Sequence, residues 1–401
     1  MKPSLSLARF GRAAGLLALS ALLLGGCSSS SDNDSVDANL AAIAVGATAD
    51  YSTASHAVID TESPYAAEIN INPSANTDVA VSAWGSYFYR IERFGANSVT
   101  KYDLANPDTP IWQCSTEGSE SNSNPYQLVQ VAEDKAYLLR YGSGKLWIVD
   151  PSIASSADCD TGFKIGEIDL SSFDGDGVPE MSAAVVVGNR LFVAIQRLVF
   201  FTPSQKSQVV VIDTTDDSIV DADPDLAGVQ PITLPGRNPG GMQYVASLDR
   251  IFVQSVGKYD TSAYGGTPAE YTGGIDVIDP TLLTAEVLLD DDGDITKQIS
   301  AMAVIDDDTG YFASYAGYGD NSLYRFDPTT GAVHVDGSSA PIALGNLAQT
   351  NIRALAAGPD DSLWVAIDSG LRVIDGGDDS VLQNLVDTQM NPSAIAFAVQ
   401  P

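Results

Sequence analysis

The 401-residue chain has little of what catalysis or nucleic-acid binding usually requires. It contains only two histidines, His56 and His334, which excludes a cluster of imidazole metal ligands. It has no Gly-x-Ser-x-Gly motif and no glycine-rich phosphate loop with a lysine. Basic residues are also scarce, because 20 Lys and Arg face 52 Asp and Glu, for a net charge of −32. That charge argues against binding to nucleic-acid phosphates, and the missing catalytic motifs favour a protein that is not an enzyme.

The chain begins with the pattern of a bacterial lipoprotein signal peptide, predicted over residues 1–26. Basic residues precede an apolar run, Ala13–Leu24, which is too short to cross a bilayer. Leu24-Gly25-Gly26-Cys27 matches a lipobox, so Cys27 is the predicted lipidation site; the alternative is an ordinary signal peptide cut elsewhere. Ser28 follows the cysteine, which by the sorting rule of enteric lipoproteins predicts the outer membrane, facing the periplasm or the surface. Residues 27–41 would then form the lipidated cysteine and a flexible tether, and 42–401 the folded domain.

Cleavage before Cys27 would leave 17 basic residues against 52 acidic ones, a net charge of −35. Lipidation of Cys27 would leave two cysteines, Cys114 and Cys159. An even pair in an exported protein predicts a disulfide, which would close a loop of about 45 residues and add about 4 kcal/mol of stability. The alternative is a pair of free thiols that lie too far apart to join.

One short motif recurs seven times: a bulky or basic pair, or a single valine, followed by aspartate. The seven aspartates are Asp60, Asp103, Asp150, Asp213, Asp279, Asp327 and Asp375, spaced by 43, 47, 63, 66, 48 and 48 residues. A spacing of this kind indicates one supersecondary unit used seven times.

Each repeat contains short apolar runs separated by turn residues, as between Asn351 and Asp375. There the runs 352–357, 363–367 and 371–374 alternate with turns rich in Gly, Pro, Asp and Ser. Such runs predict β-strands joined by tight hairpins. The aspartate ends the third run and is followed by proline in three repeats, so we predict that it forms the turn into a fourth strand.

Four-stranded units repeated around an axis form a β-propeller, so we predict an all-β fold with seven blades. The last repeat is cut short, because the chain adds one outer strand after Asp375 and then only Asn391–Ala398. That segment matches the first strand of other repeats, and its missing partners lie in residues 42–72. The N- and C-terminal strands are therefore predicted to complete one blade together, which leaves no open edge in the ring.

The repeat resembles the YVTN-type propellers, which include periplasmic, surface and lactonase-like proteins. The residues that carry the resemblance are Leu191-Phe192-Val193-Ala194, Val211-Ile212-Asp213-Thr214 and Leu234-Pro235-Gly236-Arg237-Asn238-Pro239. It extends over roughly residues 42–400. The resemblance implies the fold and says little about activity, because such propellers host many functions.

In such a fold, the loops that join blades and those that join second to third strands share one face, called here the top face. Two acidic loops on this face are candidate Ca²⁺ sites, because alternating carboxylates with glycine offer oxygen ligands on a flexible backbone. The candidate ligands are Asp174, Asp176, Glu180, Asp290, Asp292 and Asp294. The alternative is acidic turns that water solvates.

Two further groups on the top face are candidate ligand-binding residues. Residues that open the first strands should line the rim of the central channel, and the candidates are Tyr126, Gln127, Glu180, Arg237, Asn238 and Arg353. Two insertions, 197–208 and 256–274, lie between second and third strands, and the second holds Tyr259, Tyr264 and Tyr271. Tyrosine in adaptable loops is typical of recognition surfaces, although the insertions could instead pack over the blades.

Three functions fit these features. We favour a lipid-anchored binding or scaffold module whose top-face loops contact an envelope protein or a small ligand. The alternatives are a Ca²⁺-dependent lactonase-like hydrolase that uses Glu180 and a mainly structural envelope protein. The expected partners are the membrane, through the lipid anchor, and that protein or ligand, but not nucleic acid. Calcium is the candidate cofactor, and a monomer is expected.

Overall fold

The computed structural model describes residues 40–262, 266–294, 296–335 and 350–400. Within these ranges the chain forms seven antiparallel sheets. Their innermost strands contact one another in a closed ring, which makes the fold a seven-bladed β-propeller, as predicted. Cys27, the lipobox and Tyr264 lie outside the described residues. In the part of the chain that is described, no helix is long and apolar enough to cross a membrane.

The blades are numbered from the first one that is continuous in the chain. Blade 1 contains β4 (Val79–Trp84), β5 (Tyr87–Glu92), β6 (Ser98–Asp103) and β7 (Asn106–Ser115). Blade 2 contains β8 (Pro125–Ala132), β9 (Lys135–Arg140), β10 (Lys145–Val149) and β11 (Lys164–Asp169). Blade 3 contains β12 (Met181–Val187), β13 (Arg190–Ile195), β14 (Gln208–Asp213), β15 (Ile219–Val220) and β16 (Ile232–Thr233). Blade 4 contains β17 (Pro239–Val245), β18 (Arg250–Ser255), β19 (Gly274–Asp279) and β20 (Thr284–Leu289).

The remaining blades follow the same order. Blade 5 contains β21 (Gln298–Val304), β22 (Gly310–Tyr315) and β23 (Asn321–Phe326). Blade 6 contains β24 (Ala354–Ala357), β25 (Ser362–Ile367), β26 (Gly370–Asp375) and β27 (Val381–Asp387). Blade 7 contains β28 (Asn391–Val399), β1 (Leu40–Ala47), β2 (Ala54–Asp60) and β3 (Ala67–Ser74). Three short helical turns, Ser156–Asp158, Cys159–Phe163 and Ser171–Phe173, lie beside β11.

Blade 7 closes the ring in the way that the sequence predicted. Its inner strand β28 pairs with β1 from Ala47 opposite Asn391 to Leu40 opposite Val399. In blade 5 the described residues form three strands, and an isolated bridge between Phe326 and Val333 follows the third. The inner strand β28 begins on the top face at Asn391 and ends at Val399, which pairs with Leu40. Residue 40 therefore lies on the face opposite the top face.

The repeated aspartates are turn-formers, as predicted. In six of the seven repeats, the aspartate carboxylate accepts a hydrogen bond from the backbone N–H two residues later. Asp327, for example, accepts from Thr329 at 2.8 Å and from Thr330 at 3.0 Å. Such bonds satisfy the backbone where the third strand ends, and this explains why the motif marks the repeat so regularly.

The core lies between neighbouring sheets. The second and third strands of blades 3 and 6 are almost wholly buried, because side chains on both of their faces pack against adjacent blades. One such layer joins Tyr137 of blade 2 to Val193 and Ile212 of blade 3. A disulfide between Cys114 and Cys159, with the Cα atoms 5.4 Å apart, also ties the outer part of blade 1 to that of blade 2.

Candidate functional site

The most exposed aromatic side chains of the described residues all lie in loops between second and third strands, and therefore on the top face. They come from five blades: Tyr51 in blade 7, Phe94 in blade 1, Phe200 and Phe201 in blade 3, Tyr259 and Tyr271 in blade 4, and Tyr318 in blade 5. The sequence analysis had singled out only Tyr259 and Tyr271 of this set. Large apolar side chains gathered on one face of a soluble protein indicate an interaction surface.

Phe200 and Phe201 form the tip of a hairpin that we call the blade-3 finger, residues 197–207. Val199 and Thr202 exchange backbone hydrogen bonds of 2.9 and 3.0 Å, which leaves the two phenylalanines as the central turn residues. Their φ angles are +48° and +62°, the left-handed conformation of a type I′ turn. Such turns normally use Asn-Gly, and a left-handed bulky residue costs about 1–2 kcal/mol. The two residues are 94% and 91% exposed, so packing against the described residues does not offset that cost.

Two arginines donate hydrogen bonds at the base of the finger, and Lys206 belongs to the finger itself. Arg197 donates to the carbonyls of Phe173 and Lys206 and to the Gln205 side chain. Arg237, a predicted ligand-binding residue, donates to the carbonyl of Pro203 at 3.3 Å. Neither arginine nor Lys206 forms an ion pair with a described carboxylate. These three cations therefore lack a direct carboxylate partner, although the charge of Arg237 acts on Glu270 and that of Lys206 acts on Asp276.

Glu180 anchors the finger from below. It opens the inner strand of blade 3 with φ +52°, and its Oε2 accepts the N–H of Leu198 at 2.9 Å. Burial raises its pKa to about 7, and the charges of Asp176 and Asp174 act in the same direction. A carboxyl group that titrates near neutral pH at the mouth of the channel could act as a general acid or base.

The blade-4 loop, residues 256–273, has a similar anchor. Oδ1 of the buried Asp291 accepts the N–H of Gly273 at 3.0 Å, and burial raises the pKa of Asp291 to about 7. Within the loop, Lys258 pairs with Glu270, and Tyr259 packs edge-on against Tyr315 with the ring centres 5.7 Å apart. Desolvation raises the pKa of Tyr259 to about 12. This loop is therefore braced against the blades while still exposing two aromatic rings.

The carboxylates of the two acidic loops, predicted as candidate Ca²⁺ ligands, accept hydrogen bonds from nearby backbone N–H groups. Asp174 accepts from the N–H of Gly175, Asp176 from Val178, and Asp292 from both Asp294 and Thr296. Across the described ranges, no three His, Cys, Asp or Glu side chains are placed to hold a metal ion. The carboxylates of Asp174, Asp176 and Asp292 thus stabilise their own turns, and calcium binding stays a prediction.

Gln127, a predicted ligand-binding residue, joins two blades. Its side chain accepts from the N–H of Ala184 at 2.8 Å and donates to the carbonyl of the same residue at 3.1 Å. Gln243 makes the same pair of bonds to Val304, at 2.8 and 2.6 Å. These glutamines satisfy the backbone of an inner strand that has no neighbouring strand on its channel side.

Other predicted rim residues also have structural partners. The ring of Tyr126 lies between the Arg93 guanidinium, 3.8 Å from its centre, and the ring of Tyr141, 4.3 Å away. Asn238 has φ +63°, and its side chain donates to the carbonyl of Gly257 at 3.0 Å. Arg353 donates through two nitrogens to Oδ1 of Asp368, at 3.0 and 2.8 Å. No hydrogen bond or ion pair among the described residues joins any two of Glu180, Arg237 and Arg353.

Asp276 is a buried carboxylate that the sequence analysis missed. It is 1% exposed, and its Oδ2 accepts the N–H of Gly236 at 2.9 Å, whereas Oδ1 has no hydrogen-bond partner. Burial raises its pKa to about 7. The signal in the sequence was an aspartate within the otherwise apolar run of the strand Gly274–Asp279, in which consecutive residues on both faces are buried.

Comparison with known proteins supports the fold. No family model and no curated protein matches the chain. Its structure is similar to a candidate 6-phosphogluconolactonase from Bacteroides fragilis, with 12% identity and a TM-score of 0.59 over 91% of this chain and 99% of the other. It is also similar to virginiamycin B lyase from Staphylococcus aureus, with 10% identity and a TM-score of 0.53 over 80% of this chain and 91% of the other. A streptogramin B lyase shares 12% identity, with a TM-score of 0.51 over 79% of this chain and 85% of the other. These identities establish a shared propeller fold alone, and membership of the YVTN-type group stays a prediction.

Proposed function

We propose that this protein is a binding module that contacts a macromolecular partner through its top face. One observation carries the proposal: the most exposed aromatic rings of the described residues, contributed by five blades, all lie on that face. Exposed rings are costly in water and supply most of the contact energy at protein interfaces. A rigid propeller that presents them on loops is a common arrangement for recognition.

The proposal includes the predicted address of the protein. Lipidation of Cys27 would anchor it to the outer membrane through the tether that precedes residue 40. Because residue 40 lies opposite the top face, an anchor on that side would direct the aromatic rings away from its own membrane. A Cys27→Ser variant tests this part, since it should move from the membrane fraction to the soluble fraction of the cell envelope.

Photocrosslinking in the native host tests the binding proposal. A benzophenone amino acid is placed at position 94 or 318 on the top face, or at the outer-surface positions 282 or 382, where exposed leucines provide matched controls. We expect the same partner to crosslink from both top-face positions and not from the controls. Absence of a product at the top-face positions, or equal products at all four, would refute the proposal.

A lactonase-like hydrolase is supported by a different observation, the neutral-range pKa of Glu180 at the mouth of the channel. Glu180→Gln keeps the acceptor for the Leu198 N–H but removes the acid. If the protein is such an enzyme, a panel of lactones assayed with and without Ca²⁺ should show hydrolysis that the variant lacks. If the wild type hydrolyses none of the panel, this candidate is excluded.

A further inference from the structure

We propose that the blade-3 finger is an anchor that inserts Phe200 and Phe201 into an apolar pocket of a protein partner whose rim carries carboxylates. The inference rests on the proposed binding function and names the chemistry of the partner. It depends on three features of the finger: its strained turn, its exposed rings and its unpaired cations.

The left-handed turn and the exposed rings together indicate that Phe200 and Phe201 contact another molecule. Phe200 and Phe201 occupy left-handed backbone positions that favour asparagine and glycine, and their rings are almost fully exposed. The left-handed backbone and the exposed apolar rings each oppose folding. The rings have no packing contacts with the described residues that would offset this cost. Strain that the rest of the fold must support is typically found at functional sites. Two adjacent aromatic rings on a rigid hairpin have the form of an interface anchor.

The basic residues of the finger region predict the charge on the rim of the partner's pocket. Of the 17 basic residues in the described ranges, ten form ion pairs, and Arg197, Lys206 and Arg237 are among the seven that do not. The two guanidinium groups donate to backbone carbonyls of the finger, and Lys206 belongs to the finger itself, so a partner surface that covers the finger would approach these cations. Carboxylates on that surface would supply the missing counter-charges and guide the encounter.

The topology favours a protein over a lipid surface. The top face lies opposite residue 40, so an anchor that precedes this residue would hold the finger away from the membrane that carries it. Insertion of the two rings into a bilayer is therefore the competing outcome that the experiment has to separate.

A variant with a better turn provides the test. F200N/F201G introduces the residues that a type I′ turn prefers, so it removes both rings without disrupting the fold. The partner is first identified by photocrosslinking from position 200 in the native host, then purified and titrated against each variant. We expect F200N/F201G to weaken binding at least about 100-fold, as the loss of two aromatic anchors should. K206Q/R237Q should slow association and flatten its dependence on salt.

The other outcomes overturn the inference. They are an unchanged affinity for F200N/F201G, a crosslink from position 200 only to a second copy of this chain, and flotation with phosphatidylethanolamine–phosphatidylglycerol vesicles that F200N/F201G abolishes. If positions 94 and 318 crosslink to a partner and position 200 does not, the finger inference fails while the proposed binding function stands. If none of the three positions crosslinks, both fail.

Discussion

The blade-3 finger predicts that a variant can gain stability while it loses binding. Two left-handed phenylalanines cost about 2–4 kcal/mol together, at about 1–2 kcal/mol each. F200N/F201G relieves this strain, but the new glycine offsets about 0.5–1 kcal/mol of the stabilisation, because glycine is more flexible in the unfolded chain. The lost rings contribute little packing, since they are 94% and 91% exposed. We therefore expect the free energy of unfolding to rise by about 1–3 kcal/mol.

Urea unfolding with the disulfide intact, followed by tryptophan fluorescence, measures this change. D360N/D361G is the matched control, because Asp360 and Asp361 also occupy paired left-handed positions, with φ +54° and +55°, on the opposite face. Aspartate tolerates this conformation, so the control should gain less than about 1 kcal/mol. A finger variant that is less stable than the wild type, or that gains no more than the control, would refute the account of strain.

Three further predictions concern stability. Because burial raises the pKa of Asp276 from 3.8 to about 7, its ionisation destabilises the folded state progressively as the pH rises from 4 to 7. D276N should therefore raise the free energy of unfolding by up to about 4 kcal/mol at pH 8 and by less at pH 5. The control is the same change at the exposed Asp134, which should leave the free energy of unfolding unchanged at both pH values. An equal gain for D276N at both pH values would contradict the view that burial of the ionised carboxylate destabilises the fold. The free energy of unfolding should fall by about 4 kcal/mol in C114S/C159S, measured by chemical unfolding. A decrease below about 1 kcal/mol would show that the disulfide barely constrains the unfolded chain. Gln243→Ala should lose about 1–3 kcal/mol, because the N–H and C=O of Val304 lose their partners, and an unchanged midpoint would contradict the proposed role of this glutamine.

The fold was predictable because its signals are local. An aspartate such as Asp213 must end the third strand for its carboxylate to reach the N–H of Thr215, so the motif fixes both the strand end and the repeat. The closure of blade 7 followed from counting strands, since Asn391–Val399 had no partners at its own end of the chain. In both cases the cause and the signal lie in the same short segment.

The site was less predictable because its partners are distant in sequence. Gln127 looked like a rim residue, but its side chain binds Ala184, which lies 57 residues away. The finger was recognised as an insertion, yet the run Leu198-Val199-Phe200-Phe201 has the composition of a strand and contains no turn residue. Its type I′ turn violates the usual sequence preference, so local rules could not have located the two exposed rings.

The affinity of the crosslinked partner for top-face variants tests the central claim most directly. F94S/Y318S removes one exposed ring from each of two blades without altering the finger, and L282S/L382S makes equivalent changes on the outer surface. If the top face is the binding surface, the first pair should weaken binding at least about 10-fold and the second should leave it unchanged. Unchanged affinity for F94S/Y318S, or weaker binding only for L282S/L382S, would contradict the account.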